Sequence, residues 1–454
     1  MRIAPILAPL ALASFATTAL ASEPPATESG TEDGPAAVEV ADDTAHASPT
    51  AHASESDVPA IGITPSASFV VRYERRLGQM EGEERDATLL RARFGLHTTP
   101  IPLGDAGTMR LHFVPQAVGA LTGSGASSTT GQPLHLHNGY IELSLADDHV
   151  GMDVGRFTMR YGDTLMIGHG GWAIRGRAHD GARIRTRLDN GLAIDGFATM
   201  VRETVELPVA SALPGGVTGT SSFAPDIWLA GVYVQLADAI DVPVIDAIDL
   251  YELSRILPTR TYDGEELTGA MESTTGARVV LAPGPARIRV EGGVQRGRRP
   301  VADVEVDARA WQVDGDVSFA LLDDALRLTA GGFYASGDDP TTDDVDEGWF
   351  EYYPSGHRWL GFMNVVRPRT DVRGAVGRID AHIGEHVSVF EHVHWFQHAE
   401  AVDGDHGYGT EFDTGVEVHA GEHLGVAFEY DLFVPDDGDE AIIRYTEVQL
   451  SAHF

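Results

Sequence analysis

Arginine side chains that recur at every second position are the feature of this sequence with the clearest chemistry. Arg183, Arg185 and Arg187 are separated by single residues, Ile184 and Thr186. In an extended strand this spacing puts the three guanidinium groups on one face, about 7 Å apart. A guanidinium group stays charged and binds a carboxylate or a phosphate through two hydrogen bonds. The spacing therefore predicts a basic wall that attracts anions.

The same alternation occurs elsewhere in the chain. If these segments cross a membrane, charged side chains must face a watery interior, because an Arg at mid-bilayer facing lipid costs about 2–4 kcal/mol. Arginine rings suit the passage of anions. We therefore expect a set of arginines to line a pore: Arg91, Arg93, Arg183, Arg185, Arg187, Arg287, Arg289 and Arg378. The alternative is that they only brace the wall through interior carboxylates: Asp153, Asp195, Asp380, Glu291, Glu417 and Glu429.

Acidic loops and histidine pairs are the candidates for metal binding. Oxygen-rich loops can hold Ca²⁺, but the EF-hand spacing is absent and acidic outer loops are commonly just solvated. Histidines two residues apart can share a metal, although a polar lumen-lining role is favoured. We expect no cofactor, with Ca²⁺ at the acidic loops as the alternative. The acidic residues are Asp338, Asp339, Asp343, Asp344, Asp346, Glu347, Asp436, Asp437, Asp439 and Glu440. The histidines are His135 and His137, and His392, His394 and His398.

The composition excludes several classes of site. The 454 residues include no Cys, and all 32 basic side chains are Arg. Disulfides, thiolate nucleophiles and Cys–zinc sites are therefore absent, as are the Lys of a P-loop and Lys Schiff bases. The 68 acidic residues give a net charge of −36, which argues against nucleic-acid binding. With neither G-x-S-x-G nor H-E-x-x-H in the chain, we expect no enzyme.

Long segments of strict alternation predict the elements that position these arginines. Between Leu424 and Leu432, large apolar residues occupy every second position, and Gly425, Ala427, Glu429 and Asp431 lie between them. A period of two puts the two sets on opposite faces of one strand. Such alternation runs for ten to thirteen residues in this chain, which is the length that crosses a bilayer at a tilt of about 45°.

The connections between these segments alternate between short and long. Short turns are predicted at 147–148, 189–191, 323–324 and 384–385, and long loops at 123–133, 206–224, 257–271, 337–358 and 435–440. This habit is typical of outer-membrane barrels. At roughly 22 residues per strand and connection, residues 61–454 give about 18 strands, and an even number follows if both termini are periplasmic. The predicted fold is an all-β, transmembrane antiparallel barrel, with 358–366 as loop.

The N-terminal 60 residues are predicted to lie outside the barrel. Residues 1–21 combine one Arg, an apolar run and Ala19-Leu20-Ala21, which indicates a signal peptide cleaved before Ser22. Residues 22–60 are rich in Ala, Pro and acidic residues, and they predict a disordered linker. A membrane anchor is the alternative for the first segment. No later apolar run reaches about 18 residues, so helical spans are not expected.

A secreted β-sandwich or propeller is the competing architecture. Strands in such folds average about five or six residues, which is shorter than the segments here. The chain also ends on an alternating segment with a terminal aromatic residue, Phe454, which resembles the C-terminal signal of bacterial outer-membrane barrels. We therefore expect the cell outer membrane as the location, with membrane lipid and the barrel assembly machinery as partners. Trp172, Trp228, Trp311, Trp395, Tyr233 and Tyr430 are candidates for the aromatic girdles.

Two patches resemble the alginate export family of outer-membrane porins. The first contains Gly155-Arg156, Tyr161-Gly162-Asp163, Trp172 and His179-Asp180-Gly181, with His179 where the family usually has Phe. The second contains the acidic run from Ala335 to Asp339, then Trp349-Phe350, Tyr353-Pro354, His357 and Gly361. The resemblance implies an Arg-lined channel for an anionic polysaccharide, and it adds Arg156 and Asp180 to the pore-lining candidates. Phosphate-selective porins are the nearest rival family.

The expected function is passive passage of an anionic or sugar-like solute through the outer membrane. A phosphate-selective-type porin is one alternative. A plugged barrel that anchors surface material without transport is another, and a barrel hydrolase is the least favoured. The sequence leaves open the solute, the direction of transport and the oligomeric state.

Overall fold

The described part of the chain, in a computed structural model, is almost entirely β-structure. It comprises residues 61–78, 85–123, 134–201, 227–240, 242–257, 260–262, 265–267, 269–301, 304–339, 344–402, 405–438 and 440–454. The predicted signal peptide and linker, residues 1–60, fall outside these ranges, so both stay predictions. No helix among the residues described is both long enough and apolar enough to cross a bilayer.

Eighteen long strands build the wall. They range from 8 residues in β5 to 18 in β12. In chain order they are β1 (Ile63–Leu77), β2 (Arg85–Thr98), β3 (Gly107–Gly123), β4 (Leu134–Leu145), β5 (Val150–Phe157), β6 (His179–Arg187), β7 (Ala193–Val201), β8 (Ile227–Gln235), β9 (Ile245–Leu257), β10 (Ala270–Leu281), β11 (Ala286–Val301), β12 (Val304–Leu321), β13 (Leu326–Ala335), β14 (Val372–Ile383), β15 (Val387–Val402), β16 (Asp405–Ala420), β17 (Leu424–Pro435) and β18 (Ile443–His453).

Short elements lie between some of these strands. They are the two- and three-residue strands Ile101–Pro102, Arg260–Tyr262, Glu265–Leu267 and Val345–Asp346, the helical turn Ala237–Ile240 and the 3₁₀ turn Gly356–Arg358.

The sheet closes on itself. Each long strand pairs antiparallel with its sequence neighbours, and β18 pairs with β1 from Ser68↔His453 to Leu77↔Arg444. Ala67 and Phe454 exchange both backbone hydrogen bonds at 2.9 Å, which extends the seam to the last residue. A closed barrel has no unpaired edge, as a membrane requires. The predicted antiparallel barrel of 18 strands is confirmed.

The two ends of the barrel differ in their connections. At the end where β1 begins and β18 finishes, the strands are joined by short segments such as 146–149, 282–285 and 421–423. The opposite end carries long connections, above all 158–178 and 336–371. Two connections at that end, 302–303 and 403–404, are short because the strands beside them are themselves 16 to 18 residues long. The predicted loops at 123–133 and 206–224 lie largely outside the residues described.

The outer face is apolar, as the alternation predicts. On β17, Val426, Phe428 and Tyr430 are exposed, whereas Ala427 and Glu429 between them are buried. Trp228, Trp311 and Trp395 are also exposed on the outside, in keeping with a girdle. The girdle prediction is wrong for Tyr233, which is buried inside the barrel, and for Trp172, which belongs to an interior loop.

The hydrophobic core of the protein lies within the barrel. Two clusters of buried apolar side chains occupy it, and both draw residues from the long connections as well as from the wall. Met166 and Ile167 come from the connection after β5, and Leu360 and Met363 from the connection after β13. The interior is therefore packed with loop structure, which the alternating pattern of the strands does not reveal.

Candidate functional site inside the barrel

Two connections fold into the barrel and divide its interior. We call residues 158–178, between β5 and β6, the first inward loop, and residues 336–371, between β13 and β14, the second inward loop. Asp163 of the first loop accepts a hydrogen bond from Arg278 on β10 at 2.7 Å, and Trp172 donates to Glu447 on β18 at 3.2 Å. One loop therefore contacts strands on widely separated parts of the wall.

The two inward loops are bonded to each other as one unit. Gly168 donates its backbone N–H to the carbonyl of Tyr353 at 2.8 Å, and Tyr353 donates to that of Met166 at 3.0 Å. The guanidinium of Arg177 then bonds the carbonyls of Gly168, Tyr353 and Pro354. Because one side chain satisfies carbonyls from both loops, neither loop moves without disturbing the other.

The second inward loop is anchored to the wall by polar contacts on both sides. Phe350 donates its N–H to Gln295 on β11 at 2.8 Å, and Met363 donates to Glu411 on β16 at 2.7 Å. His357 lies between Trp172 of the first loop and Phe362, with ring centroids 4.1 and 4.4 Å away. Burial holds the pKa of His357 well below its ordinary value, so this ring packs as a neutral aromatic.

A pair of arginines without a described carboxylate partner lies on β2, beside the first inward loop. We call Arg91 and Arg93 the basic patch. Arg91 is only 3% exposed, donates to the carbonyl of Gly171 at 3.5 Å, and has no hydrogen-bond partner at Nε. Arg93 donates to Gln116, and His137 is buried next to it. Neither arginine has a carboxylate at ion-pair distance among the residues described; the partners to which they donate there are neutral oxygens.

Most of the other predicted arginines are paired with carboxylates on the inner face. Arg183 and Arg185 share Asp153 at 2.7 and 2.9 Å, and Arg185 also reaches Glu142 at 3.0 Å. Arg187 binds Asp195 at 2.6 Å. These three residues fit the alternative that interior arginines only brace the wall, because each guanidinium lies directly against an acid.

Arg287, Arg289 and Arg378 also lie on the inner face. Arg289 is fully buried between Asp314 and Asp316, with its Nε 2.8 Å from Asp316. Arg287 is more open, with Asp246 the nearest carboxylate at 3.7 Å. Arg378 is buried on β14, where its charge acts on Asp413 of β16.

The register argues against the prediction that Arg156 and Asp180 line the pore. They are register partners on β5 and β6 and form an ion pair of 2.8 Å. Their neighbours Phe157 and His179 are buried inside the barrel. Since successive side chains of a strand point to opposite faces, the Arg156–Asp180 pair lies on the outer face. Arg156 follows Gly155 in a motif that suggested the family, and the motif alone did not distinguish inside from outside.

The metal-binding candidates do not form a metal site within the part of the chain described. There, no group of three or more His, Asp or Glu side chains is arranged to hold an ion. His392 bonds Asp380 at 2.9 Å and His398 bonds Asp371 at 2.7 Å. In the acidic loop, Asp346 binds Arg299 at 3.1 Å. Asp343 and Asp439 lie outside the described residues, so Ca²⁺ binding at these loops stays a prediction.

Several further interior arginines are not among the pore-lining candidates predicted from the sequence. Arg72 stacks on Trp172 at 4.5 Å and binds Glu447 at 3.1 Å. Arg278 and Arg299 also pair with buried carboxylates, Arg278 with both Asp163 and Asp249. All three arginines lie in alternating segments, so the rule that selected Arg91 applies to them as well. The packing of the inward loops has no comparable signal, because their residues follow no period.

The fold is that of outer-membrane porins. Among solved structures it is similar to Pseudomonas aeruginosa OccK9 (OpdG), with a TM-score of 0.59, 12% identity, and coverage of 86% of this chain and 98% of that one. P. aeruginosa OpdK with vanillate matches at a TM-score of 0.59 and 13% identity over 86% and 98% of the two chains. A BenF-like porin from Pseudomonas fluorescens Pf-5 matches at 0.59 and 9% identity over 86% and 98%. Neither a family model nor a curated protein matches the sequence.

Proposed function

We propose that the protein is an outer-membrane channel through which small anionic solutes pass passively. The observation that carries the proposal is the basic patch. Interior arginines elsewhere on the wall, such as Arg183 and Arg289, lie against carboxylates, whereas Arg91 and Arg93 have none at ion-pair distance in the part of the chain that the structure describes. An unneutralised guanidinium pair beside an interior loop attracts anions and repels cations.

The inward loops favour a small solute over a polymer. Apolar side chains from both loops, among them Met166 and Leu360, form a packed core across the interior. An anionic polysaccharide needs a wide, continuous passage, so alginate-type export would require both loops to leave the barrel. One structural neighbour was solved with vanillate, a small carboxylate, which supports this size class.

A sugar acid and phosphate are less favoured solutes in this proposal. The resemblance of the two sequence patches to the alginate export family supports a sugar-acid solute, and the same two arginines would also bind phosphate. A plugged barrel that only anchors surface material is the second candidate, and the packed core inside the wall is what favours it. Swelling of liposomes in small sugars and carboxylates separates the two, since a plugged barrel admits neither.

The test of the basic patch is the ion selectivity of the channel in planar bilayers under a KCl gradient. The wild-type channel should give a reversal potential that favours chloride. The double variant Arg91→Gln/Arg93→Gln should lose most of this preference, because the uncompensated charge is removed. Arg309→Gln is the control, since it removes one positive charge from an exposed side chain of β12. A double variant that keeps the wild-type selectivity would contradict the proposal.

A further inference from the structure

Five carboxylates are buried together on the inner face of β16, β17 and β18. We call Glu411, Asp413, Glu429, Asp431 and Glu447 the acidic row. Each of the five has 0% of its surface exposed. Ionised carboxylates are rarely buried without partners, because the loss of water is costly for a charge. The chemistry of this row therefore depends on what balances its charge.

The register of the strands places these acids directly opposite one another. Asp413 pairs with Asp431 across β16 and β17, and Glu429 pairs with Glu447 across β17 and β18. Glu447 in turn faces Glu74 across the seam between β18 and β1. Directly opposed side chains in a sheet have Cβ atoms about 4.5–5.5 Å apart. At such spacing two carboxylates do not readily ionise together.

Hydrogen bonding leaves much of the acidic row unsatisfied. Both carboxylate oxygens of Asp413, Glu429 and Asp431 lack a hydrogen-bond partner among the residues described. His394 of β15 is also fully buried, with Nε2 3.6 Å from Asp413 and no hydrogen bond at either ring nitrogen. A proton held between His394 and Asp413 gives both groups a hydrogen bond.

Among the side chains that the structure describes, the cations around the acidic row are fewer than its carboxylates. Adding Glu74 makes six carboxylates, and the described guanidinium groups that act on them are those of Arg72, Arg76 and Arg378. If each of these arginines neutralises one acid, about half of the carboxylates have no described cation to balance them. The titratable and charged groups that surround the row are Arg72, Glu74 and Arg76 on β1, Arg378 and Asp380 on β14, Glu391, His392 and His394 on β15, Tyr445 on β18, and His357 and Arg367 on the second inward loop.

The second inward loop covers the row. Met363 donates its N–H to Glu411, and Gly361 packs so closely that a Cβ there would overlap the Glu411 carboxylate. Arg76 bonds the carbonyl of Met363 from the other side. The side chains of Leu360 and Met363 are buried in the interior core. The segment 360–366 therefore covers the row with apolar side chains and excludes water from it, while the N–H of Met363 gives Glu411 one hydrogen bond.

We propose that the acidic row is a buried proton-binding site that latches the second inward loop to the wall. With protons bound, neutral carboxyl groups stay dry beneath segment 360–366, and the loop is held down. When the protons leave, opposed charges repel each other and draw in water, and the segment lifts from β16 and β17. If the barrel conducts, as proposed above, its conductance rises as the latch opens.

The test combines a conductance measurement with a structural one. Conductance is recorded from about pH 4 to pH 9, a range that spans ionisation of solvated and buried carboxyl groups. It should rise several-fold toward high pH in the wild type and stay near its low-pH value in Glu429→Gln/Asp431→Asn. Glu422→Gln, in the exposed turn between β16 and β17, is the control and should keep the wild-type pH response. Asp431→Asn alone replaces the double variant if that does not fold.

The structural measurement does not depend on conduction. Because the chain has no Cys, Val365→Cys places a single spin label on the covering segment. The label should become more mobile as pH rises, and it should stay immobile in the Glu429→Gln/Asp431→Asn background. A label at Leu322→Cys, in an exposed turn, should not respond. A pH-dependent label in a barrel that conducts nothing would support the latch and count against the channel.

Two results would overturn the latch. One is a label at residue 365 whose mobility does not change with pH. The other is a pH response that persists in the amide variants or that is abolished by EDTA, since the row would then not act through its own protons.

Discussion

At the scale of single residues, the interior arginines differ in the groups that their guanidinium groups contact. Arg183, Arg185 and Arg289 each contact a carboxylate closely, so a neighbouring negative charge largely neutralises their positive charge. Arg91 and Arg93 have amide and carbonyl oxygens as partners instead. A guanidinium bonded to neutral oxygens keeps its full charge, which is why these two residues carry the proposed selectivity.

Asp314 should be the residue whose loss destabilises the wall most. It accepts hydrogen bonds from Arg289 and from Arg369, the latter at 2.7 Å, and all three side chains are buried. Asp314→Asn removes the charge that balances two buried guanidinium groups, so we expect the free energy of unfolding to fall by about 3–5 kcal/mol. Urea-induced unfolding in lipid vesicles measures it.

Asp307→Asn is the matched control for this change. Asp307 lies on the same strand, β12, but its contacts with Arg298 and Arg309 are exposed and about 3.8–3.9 Å long. Exposed pairs of this kind contribute about 0–1 kcal/mol. Equal effects of the two substitutions would show that burial of the Asp314 pairs does not stabilise the barrel.

His149 should titrate above the ordinary histidine pKa of about 6.5. It lies in the short turn before β5, and a hydrogen bond to Asp189 at 2.7 Å raises its pKa. A raised folded-state pKa means that the pair stabilises the fold at pH below the ordinary value, and that this contribution is lost as pH rises through the raised one. NMR titration of His149 should show a lower pKa in Asp189→Asn. In Asp324→Asn, a change in another turn, the pKa should be unaltered.

At the scale of elements, the inward loops place their own groups beside the charged residues of the wall. The first loop brings the carbonyls of Gly171 and Arg175 to the basic patch, and the second covers the acidic row. The strands carry the charged side chains. In the proposed channel, the inward loops determine which of these side chains a solute contacts. A change that loosens the loops should therefore alter conduction without unfolding the wall.

Substitution of Arg177 tests whether the loops can alter conduction without unfolding the wall. The Arg177 guanidinium bonds carbonyls of both loops and lies 5.5 Å from the ring centre of Tyr353. Arg177→Gln should raise single-channel conductance and current noise, because the loops are no longer held together. Thermal stability of the barrel should change little. Arg160→Gln, an exposed position of the same loop, should conduct like the wild type. An unchanged Arg177→Gln channel would show that the loops do not limit the flow.

The strands could be predicted from the sequence and the inward loops could not. Alternation sets the face of each strand residue, so Glu429 inside and Phe428 outside follow from position alone. The same logic found Arg91 and Arg93 but did not show which arginines are paired. Pairing depends on cross-strand register: Asp153 faces Arg183 only because β5 and β6 align there. Loop residues such as Tyr353 follow no periodic sequence pattern, and their positions are set by tertiary contacts.

At the scale of the whole molecule, the interior charges are unevenly distributed. The basic patch lies on β2, the acidic row lies on β16 to β18, and β1 lies between them with Arg72 bonded to Glu447. The outer face is mostly apolar, and the basic patch and the acidic row both lie on the inner face, so their charges act across the enclosed interior. The net charge of −36 gives no sign of this division, because it sums over the whole chain.

Single-channel recording of the purified wild-type protein with a small aromatic carboxylate tests the central claim most directly. We expect discrete conductance steps that favour anions, and brief, saturable interruptions when benzoate is added, as it binds at Arg91 and Arg93. The interruptions should disappear in Arg91→Gln/Arg93→Gln and persist in Arg309→Gln. A correctly folded barrel that shows no conductance steps, or one that prefers cations and ignores benzoate, would contradict it.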